Sequence, residues 1–230
     1  MISSLSFIPS SMPKPLSPLE SVCLLALADL AEDRSVVLFE QLVRCVCKVP
    51  EQVWRGLHRL ERRALVHCFD QNTLRLTTTG YLIARHMQIQ HRLLERFLFD
   101  VVGVPWIFVH REAIQIAPVT SPLFIERVAQ LTCDAIVCPH GNVIPGRNTG
   151  VTNERPLTEA PFGQRCRLNR IAEWACYRSY LLQRLWSNEL LPGCTLVRVP
   201  DPLYQWVIQV NQRPIVMSQR LAEMLYVVPD

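Results

Sequence analysis

Residues 39–77 carry the pattern that most restricts how this chain can fold. Phe39, Leu42, Val43 and Val46 recur at helical spacing and predict a short helix over 39–46. Cys47-Lys48-Val49 breaks the stripe. Pro50, with its φ already fixed and no N–H to lose, suits the first turn of a new helix over 51–63. In that helix Val53, Leu57, Leu60 and Ala64 follow the 3.6-residue stripe, while Gln52, Arg55, Arg59 and Arg62 fall on the opposite side. Two β-like runs then flank Asp70-Gln71-Asn72: Leu65-Val66-His67-Cys68-Phe69 and Thr73-Leu74-Arg75-Leu76-Thr77. An apolar helix over 16–30 comes first, with Ser17 as cap and Pro18 as first residue.

Helix, helix, turn, helix, hairpin is the order of a winged helix-turn-helix. On that reading helix 51–63 enters the major groove, where Gln52 and Arg55 meet base edges and other arginines hold phosphate. Arg59, Arg62, Lys48 and Arg75 complete the expected DNA face. The plain alternative is a small helical domain with an ordinary polar side. Net charge is only +4, but residues 44–92 hold nine basic side chains against three acidic ones. Charge gathered in one segment is the footprint expected for phosphate. Trp54, on the same helix, is expected to pack against the wing.

A long helix is predicted over 81–102, with Leu82, Ile89, Leu93, Phe97 and Val101 apolar, and shorter ones near 106–117 and 121–131. Residues 145–161, rich in Pro, Gly, Asn and Thr, read as a linker. Beyond it, strands are expected at 165–171, 195–199, 206–210 and 214–217, with a helical turn at 181–186. They make a small β barrel of about 70 residues. The fold class is therefore mainly α with a small all-β domain. Its expected divisions are a tail (1–16), a winged helix-turn-helix domain (17–79), a helical domain (80–146), a linker (147–156) and a β domain (157–230).

Although 49% of residues are apolar, no run reaches the roughly 18 residues a membrane span requires. The Ser- and Pro-containing N-terminus lacks a basic stretch followed by an apolar one, so a cytoplasmic protein without a membrane partner is expected. Nine cysteines without tight paired spacing read as buried, reduced thiols, and Cys45 and Cys47 should point to different faces of their helix.

His91 and Glu95 stand one helical turn apart, so imidazole and carboxylate share a face, and His110 lies on the next predicted helix. Three residues of these types can meet on one cation, although an i,i+4 surface pair is the simpler reading of His91 and Glu95 alone. His58, His67 and His86 have no partner at metal spacing. His140, in Cys138-Pro139-His140-Gly141-Asn142, reads as a structural turn residue.

Three motifs, in this order behind a winged helix, carry a resemblance. They are His91-Arg92-Leu93-Leu94-Glu95-Arg96-Phe97-Leu98, Val109-His110-Arg111-Glu112-Ala113 and Cys138-Pro139-His140-Gly141-Asn142-Val143-Ile144-Pro145-Gly146. The chain resembles the diphtheria-toxin-repressor and manganese-transport-regulator family of metal-dependent transcriptional repressors. Residues 156–163 and Leu191-Pro192-Gly193 resemble that family's C-terminal SH3-like, FeoA-type domain. The resemblance implies a homodimer that binds a double-stranded operator and represses metal-uptake genes when Mn²⁺ or Fe²⁺ is bound.

The family's ancillary metal site falls on His91, Glu95 and His110, which keep their ligand types and also suit Zn²⁺ or Co²⁺. Glu173 is a candidate for a further ligand. The family's regulatory site falls on Val22, Ile114, Ala117 and Pro118, none of which can coordinate a divalent cation, so that site is expected to be absent as the family builds it. Two functional readings follow. One is a metal-responsive repressor with a degenerate regulatory site; the other is a divergent relative controlled by redox state, by a partner, or not at all. No nucleophile elbow, phosphate loop or HExxH motif supports an enzyme, and no small-molecule substrate is expected.

Overall fold

The computed structural model describes residues 15–70, 72–133, 135–147, 153–203 and 206–230. Nearly all of the expected tail and the middle of the expected linker lie outside the described residues.

Helix α1 (Pro18–Asp33) starts with a reciprocal cap: Ser17 Oγ accepts from the Glu20 N–H, and Glu20 Oε2 accepts from the Ser17 N–H at 2.8 Å. It runs three residues past the expected end. A short strand β1 (Val37–Leu38) leads into α2 (Phe39–Val46), which Cys47 closes in the left-handed conformation at φ 54°. Helix α3 (Pro50–Arg62) follows, then β2 (Val66–Phe69) and β3 (Thr73–Leu76), which pair antiparallel with β1 on the outer side of β3. This is the winged helix-turn-helix order. Trp54 departs from expectation: it stacks on Phe39 of α2 at 4.4 Å and on His58 at 5.2 Å, not on the wing. The short α2–α3 turn brings Trp54 onto Phe39, at the start of α2.

Helix α4 (Thr78–Phe97) is capped by Thr77 Oγ1 and continues as a π-helical turn over Leu98–Val102. Gly80 is needed at its start, because a Cβ there would lie 1.8 Å from the Leu65 carbonyl oxygen. Leu93 is buried, but Leu82 and Val101, expected on the same apolar side, are 54% and 51% exposed. The winding change at the π turn rotates Val101 off the helix stripe. Helices α5 (Val109–Ile116) and α6 (Pro122–Leu131) complete the helical middle, whose own core joins Leu93, Leu94, Leu98, Val109, Ala113, Ile125, Val128 and Ile144.

After β4 (Arg155–Pro156) come β5 (Arg165–Ile171), the short α7 (Glu173–Cys176) and α8 (Ser179–Ser187). Next are β6 (Thr195–Val199), β7 (Val207–Val210), β8 (Arg213–Val216), α9 (Gln219–Ala222) and β9 (Leu225–Pro229). All pairings in the resulting sheet are antiparallel, in the order β4-β9-β5-β6-β7-β8. The chain is thus mainly α with a small all-β SH3-like unit. The β unit docks on the first helix: Tyr177 Oη donates to Asp29 at 2.9 Å, Trp174 Nε1 to Asp33 at 3.1 Å, and Arg170 pairs with Asp33 at 2.7 Å.

All nine cysteines are unpaired. Cys23, Cys45, Cys138, Cys166 and Cys176 are buried, while Cys47 and Cys133 are exposed, so the expectation of buried thiols holds only in part. Cys45 and Cys47 do point to different faces.

Candidate metal centre

The helix period aligns His91 and Glu95 on the side of α4 that faces inward, and neither is more than 1% exposed. His110 comes from the first turn of α5 and Glu173 opens α7, directly after β5. Fully buried, these two reach the same place. His110 Nδ1 lies 2.8 Å from Glu95 Oε1 and 3.1 Å from Glu173 Oε1, while His91 Nε2 lies 3.0 Å from His110 Nδ1 and 3.2 Å from Glu95 Oε1. One ligand atom from each of the four residues falls within 4.8 Å of all the others.

Protons alone satisfy this cluster poorly. His91 Nδ1, Glu95 Oε2, His110 Nε2 and Glu173 Oε1 are buried without a hydrogen-bond partner. Two nitrogens facing each other and one carboxylate oxygen at about 3 Å cannot all be donor–acceptor pairs at once. Bare buried polar atoms are costly, and two nitrogen and two carboxylate ligands suit a borderline divalent cation, so the donor set fits such an ion. Burial works against charge on His110, but the adjacent Glu173 and Glu95 carboxylates outweigh it and raise its pKa to about 10. Burial pushes the Glu95 carboxyl upward, yet the imidazoles of His91, His140 and His110 hold it well below the usual range. Glu173 is likewise raised by burial and by Glu95, and brought below its ordinary value by Arg92 and His110.

Arg92, next to His91, lies behind this cluster. It is only 2% exposed, and its guanidinium donates to Glu173 Oε2 at 3.1 Å, to Glu32 Oε2 at 2.6 Å and to the Val143 carbonyl at 2.6 Å. Asp29 lies 3.6 Å from it and also accepts from Gln88 and Tyr177. Burial and the Glu173 charge raise Asp29 to about 8, against the pull of Arg92. The charged network therefore runs from the cluster into α1.

His140 corrects the sequence reading. It does stand in a turn, but instead of satisfying backbone groups its fully buried ring faces the cluster, with Nδ1 3.5 Å from Glu95 Oε1. Cys138 is buried beside it. Nothing in helical spacing links a loop 43 residues beyond Glu95 to that carboxylate; the density of ligand types in Cys-Pro-His was the available signal. At the positions of the family's regulatory site, Val22, Ile114 and Ala117 are half-buried and Pro118 is exposed. Among the described residues, both groups of His, Cys, Asp and Glu close enough to share an ion include Glu95.

On the winged unit, Arg55, Arg59, Arg62, Lys48 and Arg75 are exposed, and Gln52 is half-buried. Arg55, Arg59 and Arg62 share one side of α3 and line a shallow groove with His58 and Glu61. Arg75 lies on the hairpin, its guanidinium 5.8 Å over the Phe69 ring.

Comparison with known proteins places this geometry. A sequence model described as iron dependent repressor, metal binding and dimerisation domain, matches residues 77–146. The iron-dependent repressor IdeR of Mycobacterium leprae is 33% identical over 118 residues, 51% of this chain and 51% of that protein. The diphtheria toxin repressor of Corynebacterium diphtheriae is 36% identical over 88 residues, 38% of this chain and 39% of that protein. The chain thus spans about half the length of the curated relatives it matches, or less. Likeness of fold extends further: the manganese regulator SloR superposes with TM-score 0.80 at 22% identity, covering 93% of this chain and 100% of that one. The apo form of the manganese-activated repressor ScaR superposes with TM-score 0.72 at 25% identity, covering 90% and 99%. With three motifs folded into one buried cluster behind a winged helix, the chain is similar over part of its length to the iron-dependent and diphtheria toxin repressors, and it shares the fold of the manganese regulators.

Proposed function

We propose that this protein is a homodimeric, sequence-specific DNA-binding repressor of transcription, active in the cytoplasm, whose affinity for its operator depends on a divalent ion, Mn²⁺ or Fe²⁺. His91, Glu95, His110 and Glu173 hold the ion. One observation carries the reading: four buried ligands from α4, α5 and α7 converge with an unpaired atom on each, behind a winged helix with an arginine-lined outer face. When bound, the cation supplies the positive charge that lets two carboxylates and two imidazoles stay together in a dry interior.

The chain's own residues carry the consequence to the DNA face. Glu173 shares Arg92 with Asp29 and Glu32, so the charge balance at the cluster sets how firmly α1 is held to α4 and α7. α1 packs against α3, with Gly56 against Cys23 and Leu19 in a core that Leu24, Leu27, Val53 and Leu57 share, and this sets the angle of the reading helix. Gln52 and Arg55 read bases, while Arg59, Arg62, Lys48 and Arg75 hold phosphate. Apolar residues left exposed on the helical middle, Val119 at 82%, Leu123 at 62% and Leu131 at 57%, supply the surface for a second copy.

A gel shift on the DNA upstream of the chain's own gene tests this. Binding is expected to fall in EDTA and return with Mn²⁺ or Fe²⁺. Arg55→Ala with Arg59→Ala should weaken binding and lower the salt slope by about 2. Equal binding with and without metal would favour the alternative, a regulator independent of metal, for which the apolar residues at the family's regulatory positions are the motivating observation.

A further inference from the structure

We propose that His58 is a further DNA contact of this chain: its imidazole, when protonated, donates to a backbone phosphate beside Arg59 and Arg62, so that operator affinity rises as pH falls. This rests on the DNA-binding reading given above and adds to it a residue whose hold on phosphate depends on a proton.

Arg55, His58, Arg59 and Arg62 stand at i, i+3, i+4 and i+7, so one stripe of α3 carries all four. They line the same shallow groove, with Glu61 as the acid among them. The His58 side chain is 64% exposed, so its ring is open to a partner arriving from solvent. Its Nδ1 lies 3.6 Å from Glu61 Oε2, beyond hydrogen-bond distance. The other oxygen of that carboxylate accepts from the Cys68 N–H at 3.1 Å. Three guanidiniums against one carboxylate give the groove the sign that a phosphate requires.

The ring is also held in place. It stacks on Trp54 at 5.2 Å between centroids and 17° between planes, and Trp54 stacks in turn on Phe39 at 4.4 Å and 19°. This column of three rings leads from the first residue of α2 to the outer side of α3. A helix-turn-helix lays its first helix across the DNA backbone and turns the N-terminal residues of its second toward base edges. His58 lies eight residues beyond Pro50, about 12 Å along the helix axis, and so falls past the base-reading end. Stacked toward α2, it stands on the side that the backbone crosses, level with Arg59 and one turn before Arg62. A ring already fixed by stacking has little rotamer freedom left to lose when it meets a phosphate.

Imidazole is the side chain whose ordinary change of charge falls between pH 5 and 8. A phosphate oxygen offers only lone pairs, and it accepts a stronger hydrogen bond from an imidazolium than from the neutral ring. Seating a phosphate on His58 therefore takes up a proton from solvent, and that proton stays on the imidazole. The acids on the helices packed against α3 are engaged elsewhere: Glu20 of α1 pairs with Arg63 at 3.4 Å, and Glu40 of α2 with Arg44 at 2.8 Å. Glu61, Arg55, Arg59 and Arg62 are thus the charges that face the ring. On the hairpin, His67 of β2 is exposed and stands opposite Arg75, which makes it the natural control.

Fluorescence anisotropy tests the assignment, with the full-length protein, Mn²⁺ in excess and a labelled duplex from upstream of the chain's own gene, at pH 8 and pH 6 over a series of salt concentrations. The unaltered protein is expected to bind about three- to tenfold more tightly at pH 6, with a salt slope steeper by about 1, the worth of one phosphate. His58→Gln should bind at both pH values as the unaltered protein binds at pH 8, with no change of slope, whereas His67→Gln should keep both changes. His58→Lys, charged throughout, should bind at pH 8 as the unaltered protein does at pH 6. An acid gain that persists in His58→Gln, or none in the unaltered protein, would overturn the inference and leave the DNA reading standing. A gain without a steeper salt slope would also overturn it, moving the contact to a base edge. Absence of binding to the duplex at either pH, with or without metal, would end the DNA reading and this inference together. The slope of the unaltered protein carries the decision should a variant fold poorly.

Discussion

The winged unit and the helical middle of this chain distribute charge in opposite ways. In the first, Val53, Leu57 and Leu60 fill the core, and Arg55, Arg59 and Arg62 stand in water. In the second, His91, Arg92, Glu95 and Gln88 are buried, while Val101, Val102, Leu123 and Leu131 are more than half exposed. Ordinary burial accounts for the winged unit. The middle has exchanged the two kinds of surface, as a chain does when it needs ionic ligands inside and a partner outside.

The strongest way to break this contrast is to remove the charge at its centre. Arg92→Met leaves Glu173 and Asp29 buried without their cation and should cost about 3–5 kcal/mol. Denaturant unfolding of the metal-free protein measures it, and a loss under 1 kcal/mol would mean that the network is not internally balanced.

Acidity should reveal the same network. His110 is held at about 10 when folded against 6.5 ordinarily. Its contribution to stability is complete below pH 6.5, declines as pH rises and is gone above about 10. Asp29, raised from 3.8 to about 8, leans the same way at lower pH. Between pH 8 and 10 the decline should therefore belong to His110, and His110→Asn should flatten it in denaturant melts of EDTA-treated protein.

The outer surface gives a smaller effect. Leu131→Glu should raise the dimer dissociation constant by about ten- to a hundredfold, the worth of one buried leucine. Analytical ultracentrifugation would read it, and an unchanged constant would move the partner surface elsewhere. Least of all, Arg55→Ala should alter unfolding free energy by no more than about 0.5 kcal/mol, since its charge is solvated. A larger loss would mean that the arginine face of α3 serves the fold as well as its proposed DNA contact.

Much of this was legible from residue order. The α2–α3 stripes, Pro50, the hairpin, and strands β5 and β6 follow local periodicity, and each was expected at or within a residue of its observed bounds. His91, Glu95 and His110 were marked by helical spacing and by the motifs around them. β9 was not expected, because Leu225–Pro229 has no alternation strong enough to distinguish it from a tail; its pairing with β5 makes it a strand. α7 is a single turn, too short for any period to register.

The sequence by itself determined the longer helices, the hairpin and strands such as β5 and β6, and which side of α4 carries the imidazole and carboxylate, because those are properties of spacing along one element. Only the tertiary structure decided that Glu173, Cys138 and His140 reach Glu95 and that Arg92 ties them to α1. Those meetings depend on where β5 and the 138–142 loop pack, and packing is settled by the whole chain's burial of apolar surface, which no local window contains.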